Sequence, residues 1–192
     1  AAPLGLLDCC PTTDGAAAVV LARTSVAKQI TDRYAVIRGI SLAVTSGYFN
    51  AQFDPTWGFT GFASTQKAAA AAYKQAGITD PRREIDVAEV HDCFTITELL
   101  NYEDLGFCGP GEARRLIREG VTQLGGDLPV NTSGGLKACG HPIGASGVRM
   151  VVDIVDQLWG RAGKRQVAGA RTGLAHTLGG PGAVASVAVI SA

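Results

Sequence analysis

From residue 35 onward, apolar segments of strand length alternate with segments of helical spacing, which restricts the chain to a layered α/β architecture. Residues 35–44, 85–90, 128–131, 169–175 and 182–190 read as strands, bounded by glycine, proline and polar residues. Residues 64–76, 95–105, 113–119 and 144–158 read as helices. Gly77 ends the first, for which Ser64 or Thr65 is the N-cap candidate, and Gly106 ends the second. Strand–helix alternation of this kind predicts a mainly parallel or mixed sheet with helices on its faces, closed by an antiparallel hairpin at 169–190. Upstream, 24–31 reads as a short helix and 16–22 as a buried strand or helix after the Asp14-Gly15 turn. Residues 49–60 are irregular, aromatic and polar, the composition of a functional loop able to shape a pocket.

Composition removes several classes of function. Lys+Arg and Asp+Glu both number 17, so no net field favours nucleic acid or an anionic membrane. No run approaches the ~18 apolar residues of a membrane span. The N-terminus lacks the pattern of a signal peptide, and Ser191-Ala192 is not a peroxisomal ending. Cysteines number five, with Cys9 and Cys10 adjacent and Cys93, Cys108 and Cys139 in no metal-type spacing. That pattern predicts neither a disulfide framework nor structural zinc, and fits a reducing cytoplasm.

In open α/β sheets, chemistry gathers in the loops beyond the strand carboxyl ends. His91 follows the strand at 85–90, His141 the strand at 128–131, and His176 the strand at 169–175, so all three fall at one end of the predicted sheet. His141 sits in NTSGGLKACGHPIG at 131–144, where glycines permit close backbone approach and Pro142 stiffens the turn. A histidine held this way can donate Nε2–H to a developing oxyanion. Cys93, two residues after His91, is placed for acid–base work, and Asp92 for capping the following helix. The Gly179-Gly180 turn offers further backbone donors. Structural alternatives stand beside these roles: a buried Cys93, a capping His91 and a solvated His176. A three-histidine metal site is disfavoured, because no H-x-x-x-H or H-x-x-E-H spacing is present. A Cys–His hydrolase with Cys93 as nucleophile and His91 or His141 as base is a further alternative.

Taken together, HDCF at 91–94, NTSGGLKACGHPIGASG at 131–147 and LAHTLGGPGA at 174–183 resemble the thiolase superfamily, in its sterol-carrier-protein and lipid-transfer-protein branch. DCCPTTDGAAAVVL at 8–21 and GRAGKRQVAGA at 160–170 extend the resemblance over nearly the whole chain. It implies a thiolase-like C-terminal half, a layered mixed sheet with helices on both faces, at residues 34–192. Residues 1–33 are then the last strand and connecting helix of the N-terminal half. Such enzymes cleave 3-ketoacyl-CoA with coenzyme A, or run the reverse Claisen condensation, with no cofactor beyond CoA as substrate and no metal. The resemblance assigns acid–base chemistry to Cys93, oxyanion roles to His141 and His91, and the border of the acyl-oxyanion hole to His176, Leu178, Gly179 and Gly180. Ser133, Gly134 and Gly135 are the implied substrate-binding residues.

The family's nucleophilic-cysteine loop matches nothing in these residues, since Cys9 and Cys10 do not fit its motif. The resemblance therefore implies a partner, either a complementary N-terminal half or another copy in a homo-oligomer, and an inactive isolated chain. The segment at 16–21 is expected to be disordered, swapped or paired with another copy. A small acyl-CoA-binding partner protein is a further expectation. Two other functions follow from the same resemblance: a non-catalytic acyl-CoA-binding scaffold, and a steroid-CoA retro-aldolase. Intact HDCF and GHP motifs favour thiolase chemistry over the aldolases, which carry tyrosines in these loops.

Overall fold

The computed structural model describes residues 2–46 and 60–192. Among these residues the sheet has four strands in the order β1-β4-β3-β2, with β1 at Val36–Val44, β2 at Val87–Glu89, β3 at Thr172–Gly179 and β4 at Val184–Ser191. β1 and β3 both run antiparallel to β4, while β2 runs parallel to β3. The mixed sheet and the closing hairpin follow the sequence pattern. Helices are α1 at Thr24–Ile30, α2 at Ala63–Ala76, α3 at Pro81–Glu84, α4 at Thr95–Asp104, α5 at Ala113–Arg118, α6 at Gly135–Cys139 and α7 at Ile143–Leu158.

Alternate side chains of the hairpin feed two cores, as the period of two in a strand requires. Leu174, Ala185, Val187 and Val189 join α2, α4 and α5 on one face. Ala175, Ala188 and Ile190 meet Met150, Ile154 and Leu158 of α7 on the other. The α7 residues recur every fourth position, which puts them on one stripe of the helix. On the opposite face, Ala68, Ala69 and Ala72 let α2 lie close to the sheet. There a Cβ on Gly39 of β1 would run into the carbonyl of Ala72.

Several sequence expectations are corrected. The strand at 128–131 shrinks to a single parallel bridge between Ala88 and Val130. Pro129 has no N–H to donate, and Asn131 turns to φ 52°, so the ladder stops there. Neither Ser64 nor Thr65 caps α2, whose N-cap is Phe62. Both side chains are buried and bonded elsewhere, Ser64 donating to the Gly182 carbonyl and Thr65 pairing with His176. The stretch 16–22 forms neither helix nor strand and is largely exposed, Val20 at 98%, rather than a buried strand or helix. Most of the aromatic loop expected at 49–60 lies outside the described residues.

Candidate active site

β2 is buried on both faces and delivers His91, Asp92 and Cys93 at its carboxyl end. The turn is fixed from several sides. Asn131 Oδ1 accepts the Val90 amide at 2.8 Å, and Asn101 Nδ2 donates to the His91 carbonyl at 2.7 Å. Asp92 does not cap α4, the helix that follows it. Its buried carboxylate instead accepts the Leu136 amide at 2.7 Å and Lys137 Nζ at 2.9 Å, and so ties this turn to α6. Gly135 makes that approach possible, because its φ is 65° and a Cβ there would strike the Asp92 carboxylate.

α6 leads through Gly140 to His141. Its amide donates to the Pro11 carbonyl at 3.2 Å, and its Nδ1 pairs with Ser146 Oγ at 2.8 Å. The His91 and His141 rings meet edge to face, centroids 5.1 Å apart. Both border a cleft of about 540 Å³ that also touches Cys93 and the strand end Leu178-Gly179-Gly180. Six of the residues singled out from the sequence thus meet in one cavity on the α7 face of the sheet.

The remaining four are elsewhere. His176 lies inside β3 rather than in a loop, is 0% exposed and does not border the cleft. Strand alternation turns it to the α2 face, together with Leu174. Its Nδ1 accepts the His91 amide at 3.4 Å, so the proton resides on Nε2, which pairs with Thr65 Oγ1 at 3.0 Å. Ser133, Gly134 and Gly135 also stand back from the cleft. Ser133 bonds the buried Glu89 carboxylate through both its amide, at 3.0 Å, and its hydroxyl, at 2.6 Å.

Burial dominates the electrostatics. It pushes His91 down to about 4, helped by the neighbouring His141, with Asp92 opposing. His141 is lowered by the same cause, and His176 falls to about 3. Burial raises the Cys93 thiol, whose Sγ lies 3.8 Å from Thr97 Oγ1. Near neutrality the cleft therefore presents two uncharged imidazoles and a protonated thiol. Such a set can donate to an oxyanion and exchange one proton with carbon, whereas it does not supply a standing charge. Among the described residues, no group of three His, Cys, Asp or Glu side chains could hold a metal ion.

The sequence does not single out Asn101 or Ser146 and offers Thr65 only as a helix cap, although all three hold the histidines. Asn101 left a signal: a polar side chain one turn after Thr97, on the buried stripe of α4.

Fold and cleft together define a thiolase-like α/β domain. The thiolase C-terminal domain-like family matches residues 49–192, and the chain belongs to it. The acetyl-CoA acetyltransferase of Methanothermobacter thermautotrophicus is 44% identical over 189 residues, which cover 98% of this chain and 48% of that protein. Human sterol carrier protein 2 is 38% identical over 94% of the chain and 33% of its own length. The benzoylsuccinyl-CoA thiolase subunit BbsB of Thauera aromatica is 35% identical over 94% of the chain and 44% of its own. Among solved structures, the Ltp2-ChsH2(DUF35) aldolase matches with a TM-score of 0.80 and 28% identity, over 100% of this chain and 48% of that one. The chain thus spans half or less of the length of these relatives.

Proposed function

We propose that the chain is the C-terminal catalytic half of a 3-ketoacyl-CoA thiolase, working on a cysteine nucleophile carried by a complementary N-terminal half. The observation that carries this reading is the meeting of His91, Cys93 and His141 in one cleft closed by Leu178-Gly179-Gly180. During thiolysis the nucleophile attacks the 3-keto carbon and the C2–C3 bond breaks. The Cys93 thiol then protonates the enolate released as acyl-CoA, and coenzyme A gives its thiol proton to the Cys93 thiolate as its sulfur takes up the enzyme-bound acyl group and the nucleophile leaves. With the Ser146 hydroxyl turned to donate to His141 Nδ1, the proton of His141 rests on Nε2, and His141 and His91 hold the oxyanions as neutral donors, which a desolvated cleft strengthens. His176 sets the His91 backbone, while Ser133, Gly134 and Gly135 brace the turns that carry His91 and His141. No cofactor beyond CoA as substrate enters the reaction.

On the α7 face of edge strand β1, Ile40, Leu42 and Val44 are 53%, 64% and 65% exposed, an apolar flank suited to the missing half. Residues 1–33 belong with that half in this reading, and 34–192 form the C-terminal domain. Five free cysteines suit the cytoplasm. The test is thiolysis of acetoacetyl-CoA by the chain reconstituted with its complementary half or as the full-length gene product. Cys93→Ala and His141→Ala should each lower turnover by roughly 10²–10⁴-fold; unchanged turnover in both would remove the assignment. Likeness to the Ltp2-ChsH2(DUF35) aldolase favours retro-aldol cleavage as the second reading. Cleavage of a 3-hydroxyacyl-CoA without added coenzyme A would select it, and acyl-CoA binding with no turnover would select a scaffold.

A further inference from the structure

The N-terminal segment brings a second thiol to Cys93. Cys9 and Phe94 form an antiparallel bridge, and the Cys10 amide donates to the Cys93 carbonyl at 2.9 Å. The bridge and this bond set a register in which Cys10 lies opposite Cys93, and opposed residues of an antiparallel pair have Cα atoms about 5.5 Å apart and side chains on the same face. That separation falls within the ~4.4–6.8 Å that a disulfide spans. Both side chains pack against the same α7 core, and each is only partly buried. Among the described residues few bonds hold the segment: besides the Cys10 amide, the Pro11 carbonyl accepts from His141, and Thr95 Oγ1 donates to Asp8 at 2.9 Å. A segment held by so few bonds can adjust toward the sulfur separation that a disulfide requires.

We infer that Cys10 and Cys93 form a reversible disulfide that switches off the acid–base thiol of the cleft. The oxidant is a small-molecule disulfide. Cys10 thiolate attacks one of its sulfurs, the S–S bond breaks and one small thiol leaves. Cys93 thiolate then attacks Cys10 in the mixed disulfide and expels the second. The two thiol protons end on the two expelled molecules, so the protein is oxidised by two electrons and the small disulfide reduced by two. Burial raises both thiols and leaves little thiolate, which keeps this exchange slow and makes proximity, not acidity, the basis of selection. Loss of activity on oxidation rests on the thiolase reading; formation of the bond does not.

The experiment incubates the full chain in graded mixtures of reduced and oxidised glutathione, alkylates the remaining thiols and maps the peptides by mass spectrometry. The expected product links Cys10 to Cys93, is lighter by two hydrogens and is reversed by dithiothreitol. It should persist in Cys9→Ser, vanish in Cys10→Ser, and leave Cys108 and Cys139 alkylated. Separate glutathione adducts on Cys10 and Cys93, a link through Cys9 or Cys139, or free thiols at every ratio would each overturn the inference. None of these results bears on whether Cys93→Ala abolishes thiolysis, so the two readings fail separately.

Discussion

His176 Nδ1 accepts the backbone amide of His91 across the β2–β3 pair, so one buried imidazole fixes where another begins its turn. Both rings are kept neutral by burial, His91 at about 4 and His176 at about 3. In the unfolded chain both would take a proton near pH 6.5. Protons therefore favour the unfolded state from about pH 6.5 down to the folded values. The stability these rings confer is complete above that window and drains as pH falls through it. Glu89, raised to about 7 mainly by burial, and Asp104, raised to about 6, act oppositely and stabilise the fold as pH drops. A variant isolates the histidine share: His176→Gln keeps a donor and an acceptor but cannot ionise. Urea unfolding at pH 7.5 and pH 5 should show a smaller acid-induced loss in His176→Gln than in the parent. An identical loss would mean that His176 does not carry the effect.

Asn101 is 0% exposed and donates to the His91 carbonyl at 2.7 Å. Asn101→Leu removes that donor and leaves a buried carbonyl unpaired, a cost of roughly 1–3 kcal/mol. Chemical denaturation should register it as a lower midpoint with an unchanged slope. In the reconstituted enzyme, turnover should fall more than KM rises, because the displaced group lies at the cleft rather than at a distant substrate contact. A variant equal to the parent in both measurements would show that the turn is held without Asn101.

Periodicity made the sheet and the two-faced core legible, since Leu174, Ala185, Val187 and Val189 alternate with Ala175, Ala188 and Ile190. His91, Cys93 and His141 were legible because chemistry-bearing residues followed strands within short loops. The role of His176 was not, because a histidine inside a strand looks the same in sequence as one just beyond it. Its orientation depends on β3 continuing to Gly179 in register with β4 down to Val184. Asp92 misled for a related reason. An acidic residue before a helix is an ordinary cap signal, yet the Leu136 amide and Lys137 lie far along the chain and compete for the same carboxylate. Partners brought in by tertiary packing leave no local trace.

The apolar flank of β1 gives a test of assembly that avoids the cleft histidines. Ile40 and Val44 are 53% and 65% exposed and share one face of the edge strand. Ile40→Glu and Val44→Glu together should leave the melting temperature of the chain nearly unchanged, since exposed substitutions alter stability by about 0.5 kcal/mol or less. Affinity for the complementary half should drop at least tenfold, because two carboxylates would be buried without partners. Sedimentation of the two halves, mixed before and after substitution, reads this directly. Undiminished association would place the interface on another surface.

Gly173 of β3 lies under α7, where an added Cβ would strike the Ile154 side chain. Ile154 is fully buried between Val87, Met150 and Ile190, so it has little room to yield. Gly173→Ala is therefore an overpacking change, expected to cost about 1–3 kcal/mol. Ile154→Ala alone removes Cγ2, the atom nearest to the added Cβ, together with the Cδ1 branch, and should cost about 2–5 kcal/mol. Combined, the two changes should compensate in part, because the added methyl fills space that Cγ2 vacates. The double variant should then be more stable than the sum of the single losses, with a favourable coupling above about 0.5 kcal/mol in a double-mutant cycle. Strict additivity would mean that α7 shifts as a body to admit the Gly173 methyl. His141 and Ser146 would move with it, and reconstituted turnover would fall in Gly173→Ala despite its distance from the cleft.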